Sequence, residues 1–157
     1  MSADPIDDLT GAKAAVLLSG VSSDSHTWNL VYLELLLRER GHRVRNLGPC
    51  VPDDLLVRTC LRDRPDLLVI SSVNGHGASD GERMMRTLRA EPALTTLPAV
   101  IGGKLGTRGH IGAAARRHGL TAAGFDEVFE GADGLPRFLS YLERHRAPVH
   151  VGQKGGA

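Results

Sequence analysis

Between two apolar runs, AAVLLSGV and LVYLELLL, lies the stretch SDSHTWN, Ser23 to Asn29. It sets Asp24 and His26 one residue apart and surrounds them with Ser23, Ser25 and Thr27. A carboxylate this close to an imidazole can hold one ring nitrogen, fix the tautomer and strengthen the other nitrogen as a metal donor. The same carboxylate and hydroxyls can equally cap a following helix. Both readings stand on these residues alone. The other polar features are plainer. Gly102-Gly103 marks a sharp turn, Lys104 beside it a solvated cation, and His76 in NGHG a loop residue. Cys50 and Cys60 read as quiet thiols.

No His/Cys/Asp cluster with zinc spacing accompanies His26. A lone histidine holds a bare ion weakly. It suffices when the metal arrives with the rest of its shell, as in a macrocyclic cofactor. A macrocycle lying over a sheet edge also needs small residues on several loops, so that the backbone can be approached.

The elements that would place these groups alternate along the chain. Short apolar runs at 14–19, 43–47, 66–73, 97–101 and 127–129 read as strands. Helical periodicity fills 28–40, 52–64, 79–90, 111–118 and 135–146. Gly41 and Gly119 should close the first and fourth helices, Pro52 should enter the second, and Gly102-Gly103 should end the fourth strand. DLLVISSV is nearly all apolar, as a parallel strand covered on both faces requires. Five strand–helix units predict an α/β domain with one five-stranded parallel sheet, helices on both faces and the flavodoxin-like, Rossmann-like order 2-1-3-4-5. Ligands of such sheets bind beyond the carboxyl ends of the strands. Those ends carry SGVSSDSHT, GPCVP, SSVNGHGAS, GGKLGTRGH and EGADG.

With 157 residues the chain suits one domain, expected over 13–147 between flexible segments at 1–12 and 148–157. Lys plus Arg number 19 against 18 for Asp plus Glu, so no charge footprint points to nucleic acid or a membrane surface. No apolar run approaches the roughly 20 residues of a membrane span. The acidic start is no signal peptide, and two cysteines make no disulfide framework. A cytoplasmic location is expected.

Over roughly 14–142 the chain resembles the small, cobalamin-binding subunit of glutamate mutase (methylaspartate mutase). The resemblance is carried by SDSHTWN, NLGPCVPDDLL, VISSVNGHGASD, VIGGKLG and GFDEVFEGAD. The signature of such domains is D-x-H-x-x-G, then a serine segment, then Gly-Gly. Asp24 and His26 match the first part, Ser72 the second and Gly102-Gly103 the third, while Asn29 stands at the glycine position. The resemblance implies that His26 coordinates cobalt of adenosylcobalamin from below, displacing dimethylbenzimidazole, with Asp24 bonded to its far nitrogen. It implies a channel for the displaced tail lined by Ser71, Ser72, Val73, Gly102 and Gly103. Ser23, Ser25 and Thr27 would contact the corrin or tail, and Lys104, Leu105, Gly106, Thr107 and Arg108 would cover the tail. Glu130-Gly131 would close the far side. The implied reaction is radical interconversion of glutamate and 3-methylaspartate. A larger, barrel-type catalytic subunit would bind the amino acid, Trp28 would help form the junction, and this chain alone would be inactive.

Rivals share the fold. A corrinoid methyl carrier or a cobalamin sensor would keep the histidine, but is expected to add a helical or output domain to a chain whose first strand begins within about 15 residues of the start. A flavodoxin-type carrier is disfavoured by 4 % aromatic residues and by second and third loops without tryptophan or tyrosine. A receiver needs an aspartate where Ser71 and Ser72 stand.

Overall fold

The structure is a computed structural model that describes residues 13–145; the segments expected to be flexible, 1–12 and 148–157, lie outside the described residues. Five parallel strands form one sheet: β1 (Ala15–Ser19), β2 (Arg43–Asn46), β3 (Leu67–Ser72), β4 (Ala99–Gly103) and β5 (Glu127–Glu130). Their spatial order is β2-β1-β3-β4-β5, the flavodoxin-like arrangement that the alternation of elements predicts. Every residue of β3 is buried, as its apolar run requires of the central strand.

The connecting helices are α1 (Trp28–Glu39), α2 (Asp53–Asp63), α3 (Gly77–Arg89), α4 (Ala113–Ala123) and α5 (Gly134–Arg144). Helices α2, α3 and α4 cover one face, where Leu56, Cys60, Met84, Met85, Leu88 and Leu120 close over Leu17, Leu68, Ile70 and Ile101. Helices α1 and α5 cover the other, with Leu30, Leu37, Phe138 and Leu142 over Val16, Leu18, Val69 and Val100. Among the described residues no helix is long and apolar enough to cross a membrane.

Three boundaries depart from expectation, and a fourth, the end of α2 before Pro65, falls where it was expected. Strand β4 continues through Gly102-Gly103, because Gly102 and Gly103 still pair with Phe129 and Glu130 of β5. Gly119 does not end α4; the helix runs on to Ala123 and Gly124, at φ 128°, ends it. A Cβ at Gly119 would meet only the movable carboxylate end of Glu82 on α3. Pro52 precedes α2 in extended backbone instead of joining its first turn. Arg64 takes the left-handed conformation, φ 49°, because Pro65 bars the helical region to the residue before it.

Candidate functional site

Loop one, between β1 and α1, is not a helix cap. Thr27 occupies the cap position of α1 without a side-chain hydrogen bond to the helix. Asp24 turns instead toward the loop after β3. It is 1 % exposed, and both carboxylate oxygens are engaged. Oδ2 accepts from Ser72 Oγ at 2.9 Å and from the backbone N–H groups of Val73 at 2.7 Å and Asn74 at 3.2 Å. Oδ1 accepts from the His26 backbone N–H at 3.0 Å and lies 2.6 Å from His26 Nδ1. Burial pushes this carboxyl up. The bonds from the His26 and Val73 backbone, the His26 ring and the Ser72 hydroxyl outweigh it and lower the pKa from 3.8 to about 2.

The His26 ring is 47 % exposed. With Nδ1–H donated to Asp24, Nε2 carries the lone pair and takes no hydrogen bond among the described residues. The result is an imidazole fixed from behind and open in front. Among the described residues no three His, Cys, Asp or Glu side chains gather as a metal site. His26 is therefore a single donor, suited to a metal that brings its other ligands.

Loop one is fastened on two further sides. The Cys50 backbone N–H donates to the Asp24 carbonyl at 2.9 Å, from a residue held at φ 52°. On α3, Arg83 donates to Asp53 Oδ2 at 2.8 Å, Asp80 Oδ1 at 2.8 Å and Ser22 Oγ at 2.7 Å. Ser23 Oγ in turn donates to Asp80 and accepts from Asn74 Nδ2 at 3.0 Å. The sequence signals only part of this knot: Asp80 and Arg83 are three apart on one helix, a spacing that pairs opposite charges. Their reach to Ser22, Ser23 and Asp53 depends on how the helices pack.

Beside loop one a cleft of about 860 Å³ opens between α1 and α5. Its size lies within the ~300–1,000 Å³ usual for ligand pockets. Val69, Ser71, Val100 and Gly102 form its floor and Phe129 and Phe138 its wall, while Trp28 and Tyr32 stand at its α1 side. Gly103, at φ 119°, passes so near the Ser72 carbonyl that a Cβ there would collide with it. A Cβ on Gly102 would meet the Phe129 carbonyl at 2.9 Å. The two glycines thus keep the floor flat as well as permitting the turn.

The expected site residues divide. Ser71, Val73, Gly102, Gly103 and Lys104 line the cleft, as do Glu130 and Gly131 on the far side. Ser72 does not; its hydroxyl supports Asp24. Leu105 is 1 % exposed in the core on the opposite face, and its carbonyl accepts from Ala78. Gly106 lies beneath the Arg116 guanidinium, while Thr107 and Arg108 are exposed and off the cleft wall. Ser23 belongs to the Asp80 knot, and Ser25 and Thr27 are exposed beside His26. Loop four reaches the cleft through Gly109 and His110 as well, which sequence reasoning missed.

Asn29 is the unexpected member. It is 6 % exposed and borders the cleft. Its Nδ2 donates to Ser71 Oγ at 2.8 Å, while its Oδ1 is buried with no partner. Leaving such an acceptor unpaired costs about 1–3 kcal/mol. A half-exposed imidazole and a flat-floored cleft beside it fit a large cofactor with a metal at His26 and a tail in the cleft.

Comparison with known proteins identifies the domain family. The family model described as the B12 binding domain matches residues 14–119. The HTH-type transcriptional repressor CarA of Myxococcus xanthus is 33 % identical over 107 residues, covering 67 % of this chain and 36 % of CarA. The glutamate mutase sigma subunit of Halobacterium salinarum is 27 % identical over 127 residues, covering 81 % of this chain and 83 % of that subunit. A solved cobalamin-binding protein from Desulfitobacterium hafniense superposes with a TM-score of 0.61 at 21 % identity. That match covers 83 % of this chain and 59 % of the solved chain, and it shows a shared fold.

Proposed function

The chain belongs to the B12-binding domain family, and from that premise we propose that it is the cofactor-carrying small subunit of an adenosylcobalamin-dependent mutase of the glutamate mutase type. The observation that carries this reading is His26, held by a buried and fully bonded Asp24 at the carboxyl edge of the sheet. Adenosylcobalamin, when bound, supplies the radical chemistry that rearranges a carbon skeleton. The chain's own residues do the holding. Asp24 keeps the Nδ1 proton of His26, so Nε2 would face the metal as a neutral donor. The cleft residues Ser71, Val73, Gly102, Gly103 and Lys104 would receive the displaced nucleotide tail and shield it from water. Leu105, in the core, and Gly106, against Arg116, would anchor loop four, and the exposed Thr107 and Arg108 would cover the tail only from outside the cleft wall.

Similarity to glutamate mutase sigma subunits across most of both chains supports the mutase class. The reading places amino-acid binding on a larger catalytic subunit, with Trp28, 65 % exposed beside His26, at the junction. The cofactor-binding unit would span 13–147. Both cysteines are free, which suits the reducing cytoplasm in which such an enzyme would work.

The second reading is a cobalamin-responsive or methyl-carrying module, favoured by the 33 % identity to the repressor CarA. Mixing the chain with a glutamate mutase large subunit, adenosylcobalamin and glutamate separates the two. The mutase reading expects 3-methylaspartate by NMR from the mixture, none from the chain alone, and none from His26→Ala in the mixture. A chain that binds cobalamin through His26 but never supports turnover with the large subunit belongs to the second class.

A further inference from the structure

The contacts of Arg83 converge on the loops around His26. From α3 its guanidinium donates to Ser22 Oγ in loop one at 2.7 Å, to Asp53 Oδ2 at the start of α2 at 2.8 Å and to Asp80 Oδ1 on its own helix at 2.8 Å. Asp80 carries the tie further. It accepts from Ser23 Oγ, which in turn accepts from Asn74 Nδ2 at 3.0 Å. The Asn74 backbone N–H donates to Asp24 Oδ2 at 3.2 Å. Loop two, which leads into α2, adds its own bond, from the Cys50 N–H to the Asp24 carbonyl at 2.9 Å. Asp24 thus has loop three on its carboxylate and loop two on its carbonyl, while Ser22 and Ser23, which precede it, are tied through Arg83 and Asp80.

A half-exposed ion pair adds little to global stability, because water screens it and both side chains lose rotamer freedom. Arg83, with 49 % of its side chain exposed, belongs to that class. Its contribution is local order. Fixing the backbone of one residue weakens binding about tenfold when it has to happen as the ligand arrives. Resting on the reading that His26 ligates cobalt, we infer that Arg83 is a positioning residue for that ligation. It clamps loop one and the start of α2 to α3, so that Asp24 and His26 are already set when the cofactor arrives. Without this cation Ser22 loses its partner. Asp53 and Asp80 lose the guanidinium they share, and neither has another salt bridge among the described residues.

The test is a double-mutant cycle, read by equilibrium dialysis of the chain against adenosylcobalamin in the dark. Arg83→Met should bind about tenfold more weakly than wild type. Ser22→Ala removes the loop-one contact alone and leaves both ion pairs. It should cost about fivefold, and it carries the test where Arg83→Met does not fold. Arg86→Met breaks a comparable pair with Glu82 on the same helix and should bind as wild type does. In a His26→Ala background neither Arg83→Met nor Ser22→Ala should cost anything further, because a residue that acts through His26 then has nothing left to position. Wild-type affinity in Ser22→Ala or in folded Arg83→Met overturns the inference. So does a loss that persists undiminished in His26→Ala, the mark of a merely structural role. Both results leave the cofactor reading intact. Wild-type affinity in His26→Ala alone overturns that reading and this inference with it.

Discussion

The two faces of the sheet are built from the same residue types to opposite ends. On one face three helices, α2, α3 and α4, lie over five strands and leave Leu68, Ile70, Met85, Leu88, Ile101 and Leu120 fully buried. On the other face only α1 and α5 are available. Helix α1 rests mainly on β2 and α5 on β5, so the middle of the sheet lies between them. Val69, Ser71, Val100 and Gly102 there become the floor of the cleft. With three helices on one face and two on the other, one face becomes a core and the other a socket. Residue size then completes the difference. Phe125 and two methionines fill the sealed side, whereas Gly102, Gly103, Gly109 and Ala113 keep the open side clear.

Truncation on the sealed face should have the largest effect on stability. Leu88 is fully buried on α3. Leu88→Ala should cost about 2–5 kcal/mol in urea unfolding and leave cobalamin binding by the folded fraction unchanged. A cost near zero would mean that the sealed face is not sealed.

Next comes the seam where loop one meets the end of β3. Asp24→Ala removes the acceptor for Ser72 Oγ, two backbone N–H groups and the His26 ring. Several donors then lose a charged partner, and stability should fall by about 3 kcal/mol. At roughly 2–4 °C per kcal/mol this lowers Tm by about 6–12 °C, measurable by calorimetry. Histidine ligation of cobalt should be lost with it. Full retention of both would deny Asp24 its role as the tie between the loops.

Acid should act on the same seam. The Asp24 pKa is lowered from 3.8 to about 2 in the folded state. A depressed carboxyl contributes stability that is complete above pH 3.8 and disappears as pH falls through 2. Its share is about 2 kcal/mol, and Asp24→Asn should flatten the pH dependence of stability over that window. An unchanged slope in Asp24→Asn would place the acid sensitivity elsewhere.

The smallest effects on folding belong to the socket. Leu135 is 37 % exposed on the cleft rim, and Leu135→Ala should cost under about 1 kcal/mol. Ala113→Phe adds a ring at the partly exposed cleft wall. Tm should move by no more than about 2–4 °C, the shift of about 1 kcal/mol. Binding of a tailed corrinoid by dialysis should weaken at least tenfold, while tailless cobinamide binds as before. Equal weakening for both would show that Ala113 does not border the tail.

The alternation of apolar runs and helical patterns was enough to read the parallel sheet with helices on both faces, and the strand order followed from the arrangement usual for five such units. Two of the boundaries that slipped, besides that at Pro52, did so where glycine did not stop an element. Gly119 reads as a helix stop but lies within α4, which Gly124 ends, and Gly102-Gly103 reads as a strand stop but continues the ladder with β5. The Asp24–His26 pair was legible because its members lie two positions apart in the chain. The helix-cap alternative fell only when Thr27 proved to cap without its side chain and Asp24 to face Val73 and Asn74. The long-range bonds of the Arg83 knot and the Asn29–Ser71 pair were beyond reach, since they join residues thirty or more positions apart through packing that no local pattern encodes.

The central claim is that His26 Nε2, steadied through Nδ1 by Asp24, ligates cobalt while the nucleotide tail lies in the cleft. The direct measurement is electron paramagnetic resonance of the chain loaded with cob(II)alamin, with its histidines labelled with nitrogen-15. The account predicts superhyperfine splitting from a single nitrogen-15 nucleus, abolished in His26→Gly. Splitting from the unlabelled nitrogen of dimethylbenzimidazole, unchanged in His26→Gly, would contradict it.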